Sequence, residues 1–142
     1  MKIPTQSEAD LHLQVCQYLR LKHPTAIFRT DFASGIKMTM GQAAKHKRLQ
    51  SSRAWPDIFI ANPVWLGDGN AEPDIPTFWG LFIELKREGV AVYLKNGALT
   101  ANPHIREQAA MLEQLENLGY CAKFAVGFEA ATELIDWYLG GA

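Results

Sequence analysis

The apolar positions of the N-terminal segment recur with the period of an α-helix. Leu11, Val15 and Leu19 lie four residues apart, so they share one face of a helix. Ser7 is a residue type that caps helix N-termini, and Pro24 interrupts the pattern. We therefore predict a first helix between Ser7 and Pro24.

Four later segments are typical of strands, and three others have helical patterns. The predicted strands are residues 26–32, 57–61, 78–86 and 121–126. The predicted helices are a short basic helix or helical loop at 41–52, a helix that begins at Asn102–Pro103 and ends at Gly119, and a helix at 129–139. The segment 62–77, rich in Pro and Gly, is expected to be a surface loop. This order predicts an α/β fold, a small mixed β-sheet flanked by helices, in one domain over residues 1–142.

The composition narrows the class of protein. The chain has 142 residues, of which 48% are apolar and 20% charged, as in a globular domain with its own core. Cys16 and Cys121 form neither a CxxC motif nor a disulfide framework. No apolar run approaches the roughly 20 residues of a membrane span, and residues 1–6 do not resemble a signal peptide. We therefore expect a reducing, cytoplasmic location and no membrane partner.

Charge is segregated along the chain, although the formal net charge is only -1. The segment 29–53 contains one acid, Asp31, and six basic residues: Arg29, Lys37, Lys45, Lys47, Arg48 and Arg53. Such a segment is either a face that binds nucleic-acid phosphates or the solvated side of a helix.

Charged residues also lie in two predicted strands that are otherwise apolar. Asp57 opens one of them, directly after Pro56, and Glu84 and Lys86 lie two residues apart in the other, on the same face. Burying such charges costs several kcal/mol each unless they are paired or bind a metal. Two carboxylates would suit Mg²⁺ or Mn²⁺, and Lys86 could position a water or neutralise charge on a phosphate. An acid-x-base triplet is also common on the solvated side of a strand.

The order of these motifs resembles a known nuclease family. Pro56-Asp57 followed by Glu84-Leu85-Lys86 is similar to the PD-(D/E)xK nuclease motif. Nearly the whole chain resembles the VRR-NUC family of that superfamily, in the stand-alone form found in phages and prophages. The resemblance includes an early helix with Glu8, a later helix with Gln108, and a turn at Leu115–Gly119.

The resemblance implies a restriction-endonuclease-like core and a role for each matching residue. Asp57, Glu84 and the backbone carbonyl of Leu85 would bind the divalent metal, and Lys86 would be the catalytic lysine. Gln108 would shape the site and Glu8 would approach it. From the residues alone, Glu8 could equally be an exposed acid favoured by the helix dipole, and Gln108 a surface residue.

The implied activity is that of a Mg²⁺-dependent, structure-selective DNA endonuclease, with Mn²⁺ able to substitute and no organic cofactor. The expected substrate is branched DNA such as four-way (Holliday) junctions or flaps, held by non-specific backbone contacts from Lys37, Lys45, Lys47, Arg48 and Arg53. A homodimer in a bacterial host is expected, with Trp137 either a dimer contact or a partly exposed aromatic. The alternatives are a non-catalytic DNA-binding or assembly module and a nuclease for single-stranded nucleic acid.

Other features add little to this hypothesis. Ala54 and Trp55 replace the glycine and small apolar residue expected before Pro-Asp, so Trp55 covers the site, stacks on a base or fills the core. A calcium loop beginning at Asp68 is excluded because Pro73 occupies the required glycine position. The four histidines show no metal-ligand spacing, although His46 could contact a phosphate, and His104 is expected to face solvent.

Overall fold

The computed structural model describes residues 6–31, 37–67 and 73–140. In these ranges the helices are α1 (Glu8–Lys22), α2 (Met40–Arg48), α3 (Pro103–Asn117) and α4 (Phe128–Gly140). The strands are β1 (Phe28–Thr30), β2 (Ile58–Ile60), β3 (Leu81–Lys86) and β4 (Cys121–Val126). The predicted order of elements is therefore confirmed. None of the helices in the described ranges is long and apolar enough to cross a membrane.

The strands form one mixed sheet in the order β1-β2-β3-β4. β1 pairs antiparallel with β2, and β2 pairs antiparallel with β3. β3 and β4 are parallel, because α3 carries the chain back to the starting edge between them. The C-terminal end of β3 thus lies beside the N-terminal end of β2, and the charged residues of the two strands lie at this end.

Each face of the sheet packs against helices. On one face, α1 and α4 cover a core that includes Leu11, Val15, Leu19, Ile58, Ile83, Leu85, Ile135 and Tyr138. On the other face, α3 covers a smaller core of Phe82, Leu112, Leu115 and Ala122. Both faces of β3 are consequently buried, including the face that carries Glu84 and Lys86.

Capping side chains define where the helices begin. The Ser7 hydroxyl accepts a hydrogen bond from the Asp10 backbone N–H at 3.1 Å. The Asn102 side chain accepts from two backbone N–H groups, and Pro103 follows at the first helical position, where its missing N–H costs nothing. Thr39 caps the N-terminus of α2 and forms a complete capping box with Gln42, which the sequence analysis did not identify.

Several predicted boundaries were too wide. The ladder of β1 covers Phe28–Thr30, and part of the predicted strand 26–32 lies outside the described residues. Phe78 does not continue β3 but forms an isolated antiparallel bridge with Val64 across the loop. Residues 68–72 of that loop also lie outside the described ranges. The helix predicted at 41–52 ends at Arg48.

Candidate active site

The sheet register brings the predicted charged residues together. Ile58 of β2 pairs with Ile83 of β3, so Asp57, just before β2, lies beside Glu84. The backbone N–H of Leu85 donates a hydrogen bond to Asp57 Oδ2 at 2.8 Å. The strand ladder itself begins at Ile58, one residue after the predicted start, and Asp57 is partly exposed at its end. Asp57 is therefore attached to the backbone of the strand that carries Glu84.

Glu84 and Lys86 form a buried pair on the α3 side of the sheet. Glu84 is 4% exposed and Lys86 is 6% exposed, so neither is on a solvated strand face. The Lys86 Nζ atom lies 3.8 Å from Glu84 Oε1. This distance is long for a hydrogen bond but short enough for strong electrostatic attraction in a dry environment. The alternative of a solvated acid-x-base triplet is wrong for this strand.

Gln108 reaches the same carboxylate from α3. It is 6% exposed, so the possibility that it is a surface residue is wrong. Its Nε2 donates a hydrogen bond to Glu84 Oε1 at 3.0 Å and lies 3.3 Å from His104 Nε2. Because an amide nitrogen can only donate, the second contact requires that His104 Nε2 carry no proton. Gln108 Oε1 is buried, and it has no hydrogen-bond partner among the residues that the structure describes.

Negative charges concentrate around Glu84. Burial is the main cause that raises the pKa of Glu84 from its ordinary value of 4.5 to about 10. The charge of Asp57 and a hydrogen bond with it contribute to that rise, and the charge of Lys86 opposes it. The charge of Glu8 also raises the pKa of Glu84, so the first turn of α1 is close enough to influence the site electrostatically. Glu8 itself is exposed.

This arrangement fits a hard divalent cation. Two carboxylates of like charge, one of them buried, lie beside the backbone of Leu85, and oxygen atoms of this kind are the ligands of Mg²⁺ and Mn²⁺. Within the described ranges, no group of three or more His, Cys, Asp or Glu side chains could hold a metal ion. Mg²⁺ is commonly held by one or two carboxylates with water and substrate phosphate oxygens. Asp57 and Glu84 match that pattern.

Asp31 and His46 lie at this end of the sheet, and sequence reasoning gave neither a place there. The backbone N–H of Asp31, directly after β1, donates to the backbone oxygen of Asp57 at 2.8 Å. His46 of α2 lies with its Nε2 atom 3.4 Å from Asp31 Oδ1. The sequence feature that could have pointed to Asp31 is that it is the one acid of the basic segment and lies near the end of a predicted strand. These contacts link α2 to the strand end that carries Asp57.

The basic residues divide into two groups. Lys37, Lys45, Lys47 and Arg48 are exposed, and no ion pair joins them to another described residue. Arg53 is also exposed, but its guanidinium donates to both carboxylate oxygens of Glu107 on α3, with the shortest contact at 2.9 Å. Arg53 therefore connects the segment after α2 to α3, whereas the other four form no ion pair within the described part of the chain.

Comparisons with known proteins bear on the fold. No family model matches the sequence. No curated protein matches it either. Among solved structures, a chain described as a "VRR_NUC domain protein" is similar with a TM-score of 0.57 and 23% sequence identity, over 97% of this chain and 92% of that chain. This chain therefore has the α/β fold of a VRR_NUC domain protein. The resemblance predicted from the motifs is confirmed at the level of the fold.

Proposed function

We propose that the protein is a divalent-metal-dependent endonuclease that hydrolyses DNA phosphodiesters. The observation that carries this proposal is the buried pair of Glu84 and Lys86 with Asp57 beside it, at one end of the sheet. Burying a carboxylate and an ammonium costs several kcal/mol per ion unless their interactions compensate. A strand with only a structural role would carry apolar residues at these positions. The fold shared with a VRR_NUC domain protein supports the same function.

Each residue of the candidate site has a separate role in the proposed hydrolysis. Asp57, Glu84 and the Leu85 carbonyl would hold the ion, which when bound supplies positive charge to the phosphate and lowers the pKa of a water. Lys86 places an ammonium beside Glu84, where it can stabilise the negative charge that develops on the phosphate. Gln108 holds Glu84 Oε1 in place through its hydrogen bond.

The substrate we propose is branched DNA, such as a four-way junction or a flap. The exposed cations Lys45, Lys47 and Arg48 on α2 can contact backbone phosphates without reading sequence. The junction and flap preference is carried over from the VRR-NUC resemblance. A non-catalytic binding module is the alternative, and the close grouping of all three motif residues, with Glu84 and Lys86 buried, favours catalysis over it.

Cleavage of a substrate panel tests the proposal. Labelled four-way junction, flap, linear duplex and single strand are incubated with Mg²⁺, Mn²⁺ or EDTA. Wild type is expected to cut a branched substrate only with the metal. Lys86→Ala should cut it at least about a hundredfold more slowly, because a preorganised charge at the reacting phosphate is lost. The matched control is Lys95→Ala, which removes an exposed lysine and should cut like wild type.

The effect of Lys86→Ala on folding must be measured separately from its effect on cleavage, because the substitution leaves Glu84 buried without its cation. Lys86→Met keeps most of the side-chain volume, and thermal unfolding of both variants shows whether they fold. Folded variants that cut like wild type would contradict the role of Lys86. DNA binding without cleavage in any metal would leave the non-catalytic module as the function.

A further inference from the structure

An aromatic row, made of the side chains of Trp55, Phe59 and Phe82, lies on the same face of the sheet as Asp57. Asp57 and Phe59 lie two residues apart, and Phe59 pairs with Phe82, whose ring Trp55 contacts, so the three side chains lie on the same face. Phe59 pairs in register with Phe82 of β3, two residues from Glu84, so the carboxylates and the rings lie on the same side. The aromatic row is therefore adjacent to the candidate metal ligands.

The rings of this row are held in place without being fully covered. Phe59 stacks on Phe82 with ring centroids 4.4 Å apart and an interplanar angle of 18°. Trp55 contacts the same ring at a centroid distance of 5.8 Å, and its Nε1–H donates to Ser51 Oγ at 3.2 Å. Phe82 is buried, whereas Trp55 and Phe59 remain partly exposed. Ligand contact with rings fixed in this way would cost little side-chain entropy.

A cation lies next to the rings. Arg29 of β1 pairs in register with Phe59, so its side chain is on the same face, and it is exposed. In the described ranges no hydrogen bond or ion pair of the Arg29 guanidinium is found. Partly exposed aromatic rings with a neighbouring free cation are the features by which proteins bind single-stranded nucleic acid.

We propose that Trp55 and Phe59 form a stacking platform for an unpaired DNA base beside the candidate active site at Asp57 and Glu84, with Arg29 contacting the backbone. This inference rests on the proposed function and specifies its substrate class. A base in an intact duplex has both faces occupied by its neighbours, so only an unpaired base can use the platform. Single-stranded flaps supply such bases, and a fully paired linear duplex does not.

Binding measurements in the Lys86→Ala background test the platform, because they do not depend on cleavage. Fluorescence anisotropy compares a labelled oligothymidine of about ten nucleotides with a blunt duplex. Trp55→Leu keeps an apolar side chain but removes the aromatic face, so it should weaken oligothymidine binding about tenfold. Trp55→Phe should restore most of the binding, and neither variant should change duplex affinity more than about twofold.

Two further variants sharpen the result. Trp65→Leu is the matched control, since Trp65 is 49% exposed beyond the opposite end of β2 and should leave binding unchanged. Arg29→Ala should lower the slope of log affinity against log salt concentration by about one, as expected for one lost phosphate contact. The Trp55 variants should leave that slope unchanged, because stacking is not an ionic contact.

Several outcomes would overturn the platform. The proposal is contradicted if Trp55→Leu folds and binds oligothymidine as tightly as its parent does. It is also contradicted if the substitution lowers the affinities for oligothymidine and duplex equally. If Trp55→Leu does not fold, ultraviolet crosslinking of the Lys86→Ala protein to an oligonucleotide containing 5-iodouracil replaces it. Crosslinks at Trp55 or Phe59 are expected, and crosslinks confined to other positions would contradict the proposal. A protein that shows the base preference but never cuts would overturn only the nuclease function.

Discussion

Opposing interactions act on the protonation of the Glu84 carboxylate. Burial and the charge of Asp57 favour its protonated form, whereas Lys86 favours the charged form. The hydrogen bond from Gln108 Nε2 to Oε1 is compatible with both forms. Metal ligands must be deprotonated, so a proton and a divalent ion compete for Glu84. This competition makes stability and ion binding depend on pH in opposite directions.

The free energy of unfolding of Glu84→Gln tests that competition. The pKa of Glu84 is raised in the folded protein, so in EDTA the folded state retains a proton that the unfolded state loses above about pH 4.5. The stabilisation is complete below that pH and is lost progressively as pH rises toward 10. The stability of wild type relative to Glu84→Gln should therefore fall between about pH 5 and about pH 9.

Mg²⁺ should reverse this trend. Its stabilisation of wild type, measured by thermal unfolding, should grow as pH rises, because fewer protons compete for Glu84. Glu84→Gln should gain little from Mg²⁺ at any pH. A pH-independent difference between the two proteins in EDTA would contradict the environment inferred for Glu84. Equal stabilisation of both by Mg²⁺ would exclude Glu84 as a metal ligand.

The residues of the candidate site were predictable to different degrees. Asp57, Glu84 and Lys86 could be found from the sequence, because charges within apolar strands are visible in the pattern. Gln108 could be chosen only through the family resemblance, since nothing on its own helix shows that it faces a carboxylate. The contact between His46 and Asp31 depends on how α2 folds back, which no local pattern specifies.

At the scale of elements, α2 differs from the other helices. It has no buried residue, so burial of an apolar face does not hold it in place. Its described attachments are the contact of His46 with Asp31 and, after the helix, the pairing of Arg53 with Glu107. Its existence was predictable from local composition, whereas its Thr39 cap was missed and its C-terminal end was placed too late. Its exposed cations are consistent with the proposed phosphate contacts.

The salt dependence of DNA binding tests α2 as a phosphate-binding element. A triple alanine variant at Lys45, Lys47 and Arg48 should lower the slope of log affinity against log salt by about three, with similar losses on different DNA sequences. Alanine substitution of the exposed Lys22 and Lys95 is the charge-removing control and should leave the slope unchanged. An unchanged slope in the triple variant would show that α2 faces solvent in the complex.

For the whole molecule, the element order and the mixed sheet were predictable because each segment has a strong local pattern. The ends of the strands were not predictable, because they depend on which residues pair. Phe78, for example, pairs with Val64 instead of extending β3. Two apolar layers around β3 explain why Glu84 is buried even though strand alternation places it on the face opposite Ile83. Burial of the site therefore follows from the whole fold and not from the strand alone.

The expected homodimer is tested at the same scale. Trp137 is 51% exposed on α4, and its ring makes an edge contact with Phe78 at a centroid distance of 6.3 Å. If it lies in a two-fold interface, wild type should sediment as a dimer and Trp137→Glu as a single chain, because a buried carboxylate would face its own copy. Trp79→Glu, at a side chain 50% exposed, is the control and should remain dimeric.

Sedimentation of wild type as a single chain would contradict the dimer. A dimeric Trp137→Glu would place the interface elsewhere, and junction cleavage by the monomeric variant would show that one active site suffices.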